Sequence, residues 1–292
     1  MNSMNSMNSM NSMSSMDPMP GSAGGGPSEV AILQGRRLAL ADARLALTDD
    51  GVARGDGVFE TVGVWDGRAF RLADHLSRLQ ASLAAIALAP ADSELLADEA
   101  AQLLDGVTVD ASLRVYITAS GTRVLTLSAQ PSGAPPQSLH PRLAPWIRPL
   151  ADYEPAGAKT MSYGPNMTAT RLAKAAGADD ALLVSAEGHV LEGPTFSVLW
   201  AVGGVVHGAP TALGIVDSIS RRSLLELAVQ RGLDVRESLA SVAQVATADE
   251  VLICSSVRDV IAVRRIGAAR IDGPTPLRDA LSPALDALRR AL

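Results

Sequence analysis

ADDALLVSAEGHVLEGPTFSVLWAVGGVV, residues 178–206, sets the fold class. Mostly apolar runs cover 181–185 and 189–191 on either side of Glu187-Gly188, and 196–202 and 205–206 on either side of Gly203-Gly204. Short apolar runs closed by Gly-containing turns read as paired strands. Outward from here the apolar period lengthens to that of a helix. Residues 168–176 are read as a helix stopped by Gly177, and 219–230 as a helix with Ser218 as its N-cap and Gly232 just past its end. A strand follows at 251–255 behind the acidic pair Asp249-Glu250, and 277–292 is an amphipathic helix. Strands and helices in this arrangement make an α+β unit over 136–292.

A second α+β unit is expected over 30–135. Strands are read at 38–47 and 58–65, separated by the Gly-rich stretch 49–57, with a hairpin turn at Asp66-Gly67. A helix over 72–88 carries Leu72, His75, Leu76, Leu79, Leu83 and Ile86 at helical spacing, and a second helix covers 92–104. Strands at 113–119 and 124–129 flank Ser120-Gly121-Thr122. The proline-rich run 131–141 joins the units. Residues 1–29, an MNS triplet repeat followed by a Pro/Gly/Ser-rich stretch, have too little apolar surface to offset ordering entropy and are expected to be disordered.

The 292 residues include 47% hydrophobic but only 3% aromatic residues, so Leu, Ala and Val must fill the cores. The net charge of −6, with arginines scattered among acids, gives no basic stripe and speaks against a nucleic-acid partner. No apolar run reaches a membrane span and no secretory signal is visible, so a cytoplasmic setting is expected. The single cysteine, Cys254, excludes an intrachain disulfide and reads as a small core residue in the run VLIC.

Only Lys159 and Lys174 can supply a nucleophilic amine, because arginine stays protonated. Lys174 sits at a helix C-terminus, where the dipole favours a solvated cation. Lys159, in the low-charge run EPAGAKTMSYGPN, is either a surface lysine or an amine poised before a turn and a helix. The helix start at Ile219 and Ser220 offers N–H groups to a cap, to water or to a phosphate. Glu192 closes a strand; it is either solvated or, facing a pocket, able to hold a proton on a heteroaromatic nitrogen. The histidines (His75, His140, His189 and His207) read as packing or surface residues, and no metal site is expected.

Seven segments then appear in one order: GDGVFET (55–61), HLSRL (75–79), LRVYIT (113–118), KTMSYGPNM (159–167), ADDALLVSAEGHVLEG (178–193), DSISRRSLLELA (217–228) and ADEVLICSS (248–256). In this order they resemble the class IV, or fold-type IV, aminotransferases. That family includes branched-chain and D-amino acid aminotransferases and aminodeoxychorismate lyase. The resemblance implies a two-domain, D-amino acid aminotransferase-like fold with pyridoxal 5′-phosphate between the domains, in a homodimer. It places Lys159 on the Schiff-base lysine, Glu192 on the partner of the pyridine nitrogen, and Arg78, Ile219, Ser220, Ser255 and Ser256 around the phosphate. Tyr163 resembles the tyrosine that supports the cofactor's 3-hydroxyl. Thr61, in GDGVFET, resembles lyases and D-amino acid enzymes. Arg114 matches a position that reaches a substrate carboxylate in some relatives; read from the residues alone, it is equally a strand arginine paired with an internal acid. Arg54, Arg123 and Arg258 are further carboxylate candidates. The implied reaction moves an amino group from an amino acid to a 2-oxo acid. The alternatives are release of pyruvate and 4-aminobenzoate from aminodeoxychorismate, or a non-catalytic cofactor-binding paralogue.

Overall fold

A computed structural model describes residues 29–144 and 157–291. The disorder expected over 1–29 therefore lies, Glu29 apart, outside the described residues.

β-Branched and aromatic residues favour a pleated strand, and GVFETVGVW forms the longest one in the first half of the chain. The first half contains β1 (Val30–Leu33), β2 (Arg36–Ala39), α1 (Asp50–Ala53), β3 (Gly57–Trp65), β4 (Arg68–Ala69), α2 (Leu72–Ala85), α3 (Ser93–Leu104), β5 (Ala111–Thr118) and β6 (Arg123–Ala129). The strands form one antiparallel sheet in the order β2-β1-β6-β5-β3-β4. Alternation along β3 turns Val58, Val62 and Val64 toward α2 and α3, where all three are fully buried against Leu76, Leu79, Leu83, Leu96 and Leu103. Each such aliphatic side chain contributes about 1.5–3 kcal/mol by leaving water. Phe59, Thr61 and Gly63 are left on the opposite face.

Three expectations are corrected here. The strand read at 38–47 ends at Ala39; a single 3-10 turn (Leu40–Asp42) follows, and 46–48 are exposed, because no strand lies alongside to take their backbone bonds. Instead, the unread β1 pairs with β2 and β6. The Gly-rich separator contains the single turn of α1, because the Asp49 carboxylate accepts the Gly51 N–H at 2.9 Å.

The second half runs β7 (Ser138–Leu143), α4 (Gly164–Ala175), β8 (Asp180–Val184), β9 (Ser197–Val202), β10 (Val205–Gly208), α5 (Ile219–Gln230), β11 (Asp234–Glu237), α6 (Val242–Ala246), β12 (Glu250–Ser255), β13 (Arg258–Ala262), β14 (Arg265–Ile266), β15 (Ala269–Arg270) and α7 (Pro276–Ala291). Two sheets result, β11-β10-β9-β12-β13 and β15-β14-β7-β8. The proline-rich joint is thus partly strand. β14 pairs with Ser138 and Leu139 only, so Pro141 sits beyond it, where its missing N–H breaks no ladder to that side. The hairpin read around Glu187-Gly188 is present: Ser185 N–H donates to His189 O at 2.8 Å and Leu191 N–H to Leu183 O at 2.9 Å. Trp65 and Phe70 of the first half share a core with Ile219, Leu224, Cys254, Leu281 and Leu285 of the second. That shared core fixes the seam between the halves. Burial pushes the Cys254 thiol up to about 12, as suits a packing residue.

Candidate active site

β3 runs along the seam, and successive residues of it meet different parts of the site. At its first turn of pleat, residues 159–161 lie antiparallel to its edge. Phe59 N–H donates to Lys159 O (3.0 Å), Met161 N–H to Gly57 O (2.8 Å), and Val58 bridges Thr160. From the other side Lys159 N–H donates to the buried Ser82 Oγ on α2 at 3.0 Å. The Lys159 backbone is therefore held at both its N–H and its C=O. Its Nζ donates to Tyr163 OH at 3.2 Å and stands 4.0 Å over the Phe59 ring. Tyr163 meets Phe59 edge-on at 5.0 Å, and Tyr116 stacks on it at 5.9 Å. Three of the chain's nine aromatic residues thus gather around one amine. The quadrupole of such rings favours a cation.

Glu60, the next residue, points the opposite way and is fully buried. Its carboxylate accepts from Arg78 Nε (2.7 Å) and Nη2 (2.6 Å) and meets His75 Nδ1 at 2.8 Å. Burial alone would raise its pKa, but the Arg78 hydrogen bonds and charge, with those of His75, lower it to about 2. A carboxylate only accepts, so neutral His75 carries its proton on Nδ1; burial holds the imidazole below its usual range. Arg78 Nη1 continues across the seam to Asp217 O at 2.8 Å.

That contact brings a guanidinium to the start of α5. Ser218 Oγ accepts the Arg221 N–H at 3.2 Å and Ser218 O the Arg222 N–H at 2.9 Å. The N–H groups of Ile219 and Ser220 are those for which a helix has no acceptor, and both residues are 1% exposed. Further along β3, Thr61 pairs in register with Arg114, an exposed side chain whose Nη1 lies 3.3 Å from Tyr116 OH. Gly63 follows; a Cβ there would overlap the Ser256 carbonyl oxygen, so only glycine lets the strand close on the turn after β12. Glu192 is 9% exposed, and its carboxylate accepts the Val216 N–H at 3.2 Å, shortly before α5.

The sequence-derived residues thus fall along one seam: Lys159, Tyr163, Thr61, Arg114, Arg78 and Ser256 through β3, and Ile219, Ser220, Glu192 and Ser255 through the α5 start and the end of β12. Two secondary candidates do not join them. Arg123 makes a two-pronged ion pair with Glu99 at 2.8 Å, and Arg54 pairs with Asp50, so both are engaged by acids of their own surroundings. Arg114, in contrast, is exposed and meets a phenol, which removes the alternative of an internal acid partner. Arg258, the third secondary candidate, lies at the far end of the turn that carries Ser255 and Ser256, where its carbonyl accepts from Arg289 at 3.0 Å. Sequence reasoning missed Ser82 and Glu60. Glu60 had a signal: an acid between Val58 and Val62, on the face those valines bury.

The profile of the family described as amino-transferase class IV matches residues 57–266. The chain belongs to that family. With it, the chain belongs to the enzymes that depend on pyridoxal phosphate and to the fold-type IV architecture. It is 28% identical over 290 residues to a bifunctional aminodeoxychorismate lyase/D-amino acid transaminase of Mycobacterium tuberculosis, covering 88% of this chain and 98% of the relative. A D-alanine aminotransferase of Bacillus licheniformis is 26% identical, with 87% and 95% covered. Among solved structures, the PLP-bound form of a hypothetical aminotransferase from Mycobacterium tuberculosis superposes with a TM-score of 0.83 at 26% identity, covering 90% of this chain and 99% of that one.

Proposed function

We propose that the enzyme transfers an amino group from an amino acid to a 2-oxo acid, with pyridoxal phosphate along the seam between units 30–135 and 136–292. The observation that carries this reading is the Lys159 amine, fixed at both backbone ends and 3.2 Å from the Tyr163 hydroxyl. The donor chemistry along the same seam fits a phosphate: the Arg78 guanidinium, the helix-start N–H groups of Ile219 and Ser220, and the hydroxyls of Ser255 and Ser256. When bound, the cofactor supplies an electron sink at its pyridine ring. Lys159 would hold the cofactor at its aldehyde carbon and would move a proton between the substrate Cα and the cofactor C4′. Tyr163 orients the Lys159 amine. Glu192 holds the proton on the ring nitrogen. Arg114 and Thr61 receive the substrate carboxylate on the open face of the sheet. By family likeness we take the working form as a cytoplasmic homodimer.

A second reading, cleavage of aminodeoxychorismate to pyruvate and 4-aminobenzoate, is favoured by the bifunctional relative that spans 88% of the chain. It uses the same cofactor residues. The test offers the enzyme L-alanine, D-alanine and L-leucine with a 2-oxo acid, and separately aminodeoxychorismate. Amino transfer with no pyruvate from the last compound supports the first reading; pyruvate release without transfer replaces it with the second. The visible absorption of the bound cofactor should vanish in Lys159→Ala and persist in Lys174→Ala; persistence in both removes Lys159 from its role.

A further inference from the structure

The buried stripe of α7 is Leu277, Leu281, Leu285 and then Arg289. An arginine ends an otherwise aliphatic stripe, and it is 1% exposed. A cation so buried must be compensated, or it is strongly destabilising. Its Nη2 donates to the carbonyls of Ser255 and Arg258, each at 3.0 Å. Those residues are the two ends of the turn between β12 and β13. Nη1 lies 3.5 Å from the half-exposed Asp259 carboxylate, and the guanidinium sits 4.4 Å over the Trp65 ring of β3. Burial pulls Arg289 down to about 10, which leaves it charged at neutral pH.

The turn is thus gripped from two sides. Gly63 of β3 lies against the Ser256 carbonyl, and Arg289 ties both ends from behind. The neighbouring Arg290 anchors the same helix end to the first half, through Asp66 at 2.8 Å and Asp110 at 3.0 Å. α7 lies beyond the 57–266 stretch that the family profile matches, so this clasp is a feature of the chain outside it.

We propose that Arg289 is a positioning residue for the phosphate end of the cofactor site, holding the Ser255–Ser256 turn so that its hydroxyls and N–H groups face the phosphate. The inference rests on the reading of Ser255 and Ser256 as phosphate contacts. Its positive charge behind the turn, together with the bonds to both turn carbonyls, aligns the turn's dipoles toward an anion.

Dissociation constants of the full-length protein, stripped of cofactor, are measured for pyridoxal phosphate and for pyridoxal, which lacks the phosphate. Unsubstituted protein should prefer pyridoxal phosphate; equal affinities would overturn the phosphate reading itself, whatever the variants do. Given that preference, Arg289→Met should weaken pyridoxal phosphate about tenfold, close to the low end for one charge-assisted hydrogen bond, and leave pyridoxal within about twofold. Arg289→Lys keeps the charge but loses the fork, and should weaken pyridoxal phosphate about threefold with a melting temperature near that of the parent. Arg289→Lys therefore decides the matter even if Arg289→Met does not fold. Parent-like affinity for pyridoxal phosphate in Arg289→Lys overturns the proposal, as does an equal loss for both ligands.

Discussion

On one face of β3, Glu60 is fully buried and meets both Arg78 and His75. On the other, Lys159 and Arg114 rest against phenol oxygens and an aromatic ring. The two faces of one strand therefore carry opposite electrostatic designs. The Glu60 charge under α2 is satisfied within the protein and serves to hold Arg78, whose outer edge reaches the start of α5. The charges on the open face are placed but left to a soft environment, where an incoming carboxylate or aldehyde gains most. The first face is the frame that sets where Arg78 stands; the second is the surface where chemistry occurs.

The comparison breaks most visibly at Lys159. Lys159→Ala should lower turnover by about 10⁴-fold, the upper range for losing a general base, with an unchanged denaturation midpoint when both proteins are compared free of cofactor. A drop of under tenfold would mean that the open face is not where protons move. The closed face should answer in stability. Glu60→Gln leaves the Arg78 cation buried with its partner neutralised and should cost about 3–5 kcal/mol in urea unfolding. A loss below about 1 kcal/mol would show that Arg78 finds another partner.

The same face predicts acid lability. Glu60 titrates at about 2 folded against 4.5 unfolded, so its contribution, about 3 kcal/mol, is present above about pH 4.5 and lost as pH falls toward 2. Neutral His75 acts in the same direction, since its folded value lies below 6.5 and the unfolded chain takes up the proton first. Stability against pH should therefore start to fall below about 6.5 and steepen below 4.5. In Glu60→Gln the lower limb should flatten; an unchanged limb would place the acid sensitivity elsewhere.

Smaller effects sharpen the contrast. Arg114→Ala should raise KM for carboxylate substrates about tenfold with kcat little changed, a loss of uniform binding. A fall in kcat at constant KM would move Arg114 from substrate binding to the reacting centre. At the bottom of the scale, Lys174→Ala on exposed α4 should change stability by less than about 0.5 kcal/mol and leave turnover at the parent value.

The open face was largely legible in the sequence, because KTMSYGPNM holds Lys159 and Tyr163 within one turn of each other and the helix start at Ser218 announces itself locally. The closed face was not. Glu60 and Arg78 lie 18 residues apart on different elements, and only the fold puts one over the other. Ser82 gives no sign that its hydroxyl takes a backbone N–H from a residue 77 positions away. β7 was hidden by Pro141, by the prolines just before it, and by partners at Arg265 and Asp180, both distant in the chain. The opposite error fell at 38–47, where alternating Leu and Ala mimic a strand that has no neighbour beyond Ala39. Local pattern names a strand; pairing decides whether it exists.

Cys254 offers a use of its own. It is the only sulfhydryl in the chain, it is buried on β12, and it is immediately followed by Ser255. A water-soluble thiol reagent reaches it when α5 and α7, which cover it, lift from the sheet. The labelling rate is therefore a clock for opening at the spot where Arg289 grips the turn. Every natural molecule carries this reporter, with no probe to install.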